Sequence, residues 1–131
     1  MADNNARPKR YAPWYNISLG NLPLPGLVSI FHRISGLGIF VMIWLLLWLF
    51  DSSLASPEGY EDARAMLSGW FMKLVMTGLL WAFLHHFCAG IRFLLLDMHV
   101  GVDLAPARRS SGIVFAVSLL LTLILGAMLV W

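Results

Sequence analysis

The chain has 131 residues, 60% of them hydrophobic and only 12% charged, with a formal net charge of +2. An ordinary soluble domain carries about a quarter of its residues as charges, and the mean hydropathy here is +0.77. Together these values exclude a water-soluble enzyme and indicate an integral membrane protein. The single cysteine, Cys88, excludes a disulfide scaffold, and nine basic residues form no stripe of the kind that reads nucleic acid.

In chain order, residues 11–27 are apolar but broken by Pro13, Pro23 and Pro25. Trp14 and Tyr15 among them are the aromatics that settle at headgroup level. This predicts a surface segment over 1–26, available to a soluble partner. A helix needs about 20 apolar residues to cross roughly 30 Å of hydrocarbon. Three stretches qualify, predicting spans over about 27–50, 68–96 and 109–131. Residues 51–64, with two serines, a proline, a glycine and four acids, are expected to form a loop. Residues 97–109, with Gly101 and Pro106, join the second and third spans. The predicted fold class is all-α: one membrane-anchor domain over 1–131, with three transmembrane helices alternating in direction.

Charge sets the expected orientation. Arg7, Lys9, Arg10 and Arg33 lie before or at the mouth of the first span, and Arg92, Arg108 and Arg109 flank the second loop. The first loop instead carries Asp51, Glu58, Glu61 and Asp62 against Arg64. The N-terminus and second loop are therefore expected in the cytoplasm. The first apolar run starts too late and runs too long for a cleaved signal peptide, and no Arg- and Ser-rich transit stretch precedes it. A bacterial inner membrane is the expected location.

Ionisable groups within membrane spans are functional-site candidates. One cluster, Ser29, His32 and Arg33, stands at the mouth of the first span. The other, His85, His86, Arg92 and Asp97, occupies the second half of the second span. The alternating topology brings both to the same membrane face. At 1.5 Å per residue, His86 lies roughly 16 Å from the Asp97 end, near mid-bilayer. An imidazole at that depth needs a hydrogen-bond partner or a metal. One reading is a helix–helix hydrogen bond to a carbonyl or serine. The other is axial ligation of haem iron, with Gly90 on the same face as His86 leaving room for a flat macrocycle and the second imidazole coming from another subunit. That arrangement makes the chain part of a hetero-oligomeric helix bundle. His85 points about 100° away and is expected to pack against a partner or to hydrogen-bond, while His99 is expected in solvent.

Ser29 and Arg33, at i and i+4, present a hydroxyl and a guanidinium side by side. They suit the carbonyl oxygens of a lipid-soluble quinone, or else a helix cap and an arginine snorkelling to phosphates. Lys73 is expected to snorkel at its own end of the second span, and Cys88 to pack.

Residues 29–36 read S-I-F-H-R-I-S-G and residues 86–97 read H-F-C-A-G-I-R-F-L-L-L-D. With S-P-E-G-Y at 56–60, three spans and a closing V-W, the chain resembles the cytochrome b subunit family of succinate dehydrogenase over nearly its whole length. That subunit is the larger membrane anchor of succinate:quinone oxidoreductase. The resemblance implies that His86 is an axial ligand of haem b, shared with a smaller anchor subunit. It implies that Ser29 and Arg33 line a ubiquinone pocket beside an iron–sulfur subunit. His32 would lie near a haem propionate and that pocket, with Arg92 and Asp97 completing the second signature as support. Some relatives carry histidine where Phe93 stands, which shifts polar anchoring of the haem towards His32, Arg33 or the partner. The resemblance further implies a four-subunit complex in which a flavoprotein carrying FAD oxidises succinate and iron–sulfur clusters carry the electrons onward. Nothing in this chain would oxidise succinate by itself. Homologous anchors also serve fumarate reduction. The competing readings are a purely structural anchor and a proton-relay transporter. The transporter needs access from both sides, whereas the polar groups here gather at one face.

Overall fold

The computed structural model describes residues 22–131. Most of the expected surface segment, including Arg7, Lys9, Arg10, Trp14 and Tyr15, lies outside the described residues. Among the described residues there are four helices and no strand: α1 (Leu24–Ala55), α2 (Pro57–Ser68), α3 (Trp70–Asp97) and α4 (Leu104–Leu129). Three of them, α1, α3 and α4, are long and apolar enough to cross a membrane, with mean hydropathies of 2.1, 1.6 and 2.6.

Three boundaries differ from expectation: α4 begins at Leu104 rather than near 109, with Pro106 in its first turn, and the other two follow from capping chemistry. Helix α1 begins at Leu24, so the last residues of the expected surface segment are helical. Pro25 falls in the first turn, where its missing N–H removes no helical bond. The segment 51–64 is not a loop: α1 continues to Ala55 and α2 follows after a single residue. Ser56 Oγ accepts the Gly59 N–H at 3.0 Å. Pro57 opens the helix and Glu58 lies in its first turn, beside the positive end of the helix dipole. A Cβ on Gly59 would collide with the Ser52 carbonyl, so glycine lets α2 fold back on the end of α1. Helix α2 buries only Ala63 and keeps a charged outer face with an exposed Arg64–Glu61 pair at 3.7 Å.

The turn after α3 carries His99 at φ 63° and Gly101 at φ 74°, both left-handed. Leu24 at the start of α1 packs by Gly112 of α4, and one cleft joins Pro23 and Leu24 to Arg108 and Arg109. The starts of α1 and α4 and the end of α3 therefore share one end of the bundle. At the other end, the Trp131 indole N–H donates to Thr77 Oγ1 at 3.2 Å, and Lys73 Nζ sits 5.2 Å from the Trp131 ring. The lysine expected to snorkel thus lies over the indole face.

The core forms where three helices meet, at Val28 of α1, Ala89 of α3 and Val114 of α4. Helix α4 buries a stripe of Ser111, Val114, Ser118, Thr122 and Gly126. These side chains are small, and lipid is as apolar as leucine, so close backbone approach rather than water exclusion holds such helices together. Each hydroxyl is satisfied by its own helix: Ser111 on Ala107 O at 2.7 Å, Ser118 on Phe115 O at 3.1 Å, Thr122 on Ser118 O at 2.7 Å.

A candidate ligand site where α1 crosses α3

The two polar clusters read from the sequence meet at this junction, but only some of their members touch. His86 Nδ1 lies 3.0 Å from the His32 carbonyl oxygen. A carbonyl only accepts, so Nδ1 carries the ring proton and donates it. Nε2 is then left with its lone pair, and it has no hydrogen-bond partner among the described residues. Ser35 Oγ donates to the same carbonyl at 3.0 Å and lies 3.4 Å from Nδ1. The His32 and His86 rings stack at 4.1 Å between centroids, 8° from parallel.

The face of α3 carrying His86, Gly90 and Phe93 therefore meets His32 along its length. The Cβ position of Gly90 is 3.8 Å from His32 Nε2, and the Phe93 ring is 5.1 Å from the His32 ring. Gly90 therefore faces the His32 imidazole at ordinary van der Waals distance. The close fit against His86 comes from Gly36, where a Cβ would stand 2.8 Å from His86 Cε1.

His85, one residue earlier, is 0% exposed. Phe115, Trp81 and Phe31 surround it at centroid distances of 5.0, 5.3 and 6.0 Å. Neither of its ring nitrogens nor the Trp81 Nε1 finds a partner among the described residues. It packs within this chain, bridging α1, α3 and α4.

Arg92 is turned away from the α1 cluster. It is 5% exposed, donating from Nε to Ser110 Oγ at 3.0 Å and from Nη2 to Ala107 O at 3.4 Å, with its guanidinium over Phe93 at 5.4 Å. Asp97 is exposed at the last position of α3, His99 is exposed in the turn, and Cys88 is half-buried beside the core. On α1, Arg33 is exposed and Ser29 half-buried.

Sequence reasoning gave no role to Ser35 or Gly36, although both stand in the S-I-F-H-R-I-S-G string. A glycine four residues after an ionisable side chain in an apolar helix marks a place where something approaches the helix closely. The aromatic cage of His85 had no such signal, because Phe31 and Phe115 come from other helices.

Among the described residues no group of three His, Cys, Asp or Glu side chains gathers as a metal cage. What the chain presents is one imidazole with a fixed tautomer and a free Nε2. That suits a metal already held by a macrocycle, since ligating histidines usually donate their other ring N–H to a carbonyl, as Nδ1 does here.

Residues 7–125 match the family model for the succinate dehydrogenase/fumarate reductase transmembrane subunit. The chain is 30% identical over 124 residues to the succinate dehydrogenase cytochrome b556 subunit of Paracoccus denitrificans, covering 95% of this chain and 94% of that one. It is 33% identical over 113 residues to the subunit of the same name from Coxiella burnetii, covering 85% and 89%. With that from Rickettsia felis it shares 26% over 110 residues, covering 84% and 86%. A match that spans nearly all of three membrane helices and both polar signatures places the chain in the succinate dehydrogenase/fumarate reductase transmembrane subunit family.

Proposed function

We propose that this chain is the larger membrane anchor of a succinate:quinone oxidoreductase in a bacterial inner membrane, with its N-terminus in the cytoplasm. In this reading His86 is one axial ligand of a haem b shared with a smaller anchor subunit. The observation that carries it is the Nδ1–H bond from His86 to the His32 carbonyl. That bond fixes the ring plane and leaves the Nε2 lone pair for a ligand. When bound, the haem would supply a one-electron redox centre; His32 would offer a donor to a propionate, while Arg92 braces α3 against α4.

Ser29 and Arg33 hold the quinone. One turn apart on α1, they offer a hydroxyl and an exposed guanidinium at the end of the bundle where a soluble partner docks. A quinone carbonyl gains negative charge as it is reduced, and a charged donor stabilises it more than a neutral one. Succinate oxidation with FAD and electron delivery through iron–sulfur clusters belong to the flavoprotein and iron–sulfur partners. The names of the relatives favour succinate oxidation over fumarate reduction as the working direction.

The test is purification through a tag on this chain, followed by two assays on the complex. Copurified flavin and iron–sulfur polypeptides are expected. In Ser29→Ala and Arg33→Leu complexes, quinone reduction should fall while dye-coupled succinate oxidation holds. Equal loss of both activities, or purification without those partners, contradicts the reading.

A further inference from the structure

In an α-helix the carbonyl of residue i is flanked by the side chain of residue i+4, so an outside donor approaching that oxygen meets the i+4 Cβ. At His32 the i+4 residue is Gly36. Its missing Cβ is what admits the His86 ring: a methyl there would lie 2.8 Å from Cε1 and 3.2 Å from Nδ1. The admitted Nδ1 reaches the His32 oxygen at 3.0 Å, where the Ser35 hydroxyl also donates at 3.0 Å. Both compete for an oxygen that also accepts the helix's own Gly36 N–H. The direct Ser35 Oγ to Nδ1 separation of 3.4 Å is beyond the ordinary N–H···O range, so the serine acts on His86 chiefly through that shared carbonyl.

We propose that Gly36 and Ser35 are positioning residues for His86 that act in opposite senses: Gly36 opens the His32 carbonyl to Nδ1–H, and Ser35 weakens that carbonyl as an acceptor. The inference rests on the haem-ligand reading of His86. A strong Nδ1–H bond gives an imidazole partial imidazolate character and makes Nε2 the better donor, which favours ferric over ferrous iron. Weakening the bond raises the reduction potential, and strengthening it lowers the potential. A glycine inside a helix is destabilising relative to alanine, and its release of the carbonyl accounts for its use here. Gly38, two residues on, is a built-in control, because a Cβ there meets nothing within 4 Å among the described residues.

The experiment is a redox titration of the haem in the whole purified complex, with haem content measured by pyridine haemochrome, for the unmodified chain and for Gly36→Ala, Ser35→Ala and Gly38→Ala. The expected result is an upward shift or haem loss in Gly36→Ala, a downward shift in Ser35→Ala, and no change in Gly38→Ala. Where Gly36→Ala does not assemble, the sign of the Ser35→Ala shift decides. An unmoved or raised potential in Ser35→Ala, or full haem content and an unchanged potential in Gly36→Ala, overturns the proposal while leaving His86 as ligand. A complex that contains flavin but no haem in the unmodified chain overturns the haem reading itself.

Discussion

His85 and His86 are consecutive residues of α3, and the bundle treats them in opposite ways. One is sealed among Phe31, Trp81 and Phe115 with neither nitrogen partnered among the described residues; the other is only half-buried and has one nitrogen tied to a backbone carbonyl. The 100° step of the helix is the whole difference in direction. It turns His85 towards the meeting point of three helices and His86 towards the polar end of α1. The same residue type is a packing piece in one place and a candidate ligand in the other. What separates them is whether one nitrogen is fixed while the other stays free.

The widest separation is expected on removing His86. His86→Ala should abolish the b-type haem absorbance of the complex, measured per flavin. Next in size is the loss of the His85 cage filling. His85→Ala leaves a void among three aromatics and should cost about 2–4 kcal/mol, the range for large-to-small changes at packed sites. His85→Phe fills the cage without two unpartnered nitrogens, and replacing such groups by apolar ones is neutral or stabilising by about 1 kcal/mol. Thermal unfolding of the purified complex reads both, and an Ala variant as stable as the Phe variant would break the comparison. A smaller effect is expected at Arg92→Leu, which removes two charged hydrogen bonds to α4 but no contact with His86. A stability loss of about 1–3 kcal/mol with an unchanged haem potential is the expected pairing. The smallest belongs to α2, where Glu61→Ala breaks an exposed ion pair and should change stability by about 0.3 kcal/mol or less.

The sequence made the three spans legible because uninterrupted apolar runs of that length have few other solutions. Charge asymmetry and helix direction made it legible that the two polar clusters share one end of the bundle, but not that the His32 ring stacks on His86. Helix α2 was not legible because its N-terminal chemistry, Ser56, Pro57, Glu58 and Gly59, is built from the residues that also make loops. Only the bond from Gly59 N–H to Ser56 Oγ tells the two apart. Pro25 misled in the same way, since a proline in a first turn and a proline in an extended segment look alike. The direction of Arg92 depended on Ser110 and Ala107, acceptors on another helix that no local pattern announces. Gly36 stood in plain view within the quoted string, yet its meaning required knowing that His86 approaches it.

The most direct test of the contrast between the two histidines is a succinate-reduced minus oxidised optical spectrum of the complex carrying His85→Phe, set beside the one carrying His86→Ala. The account predicts a b-type signal of normal size in the first and none in the second. A signal that survives in His86→Ala, or that vanishes equally in both, would contradict it.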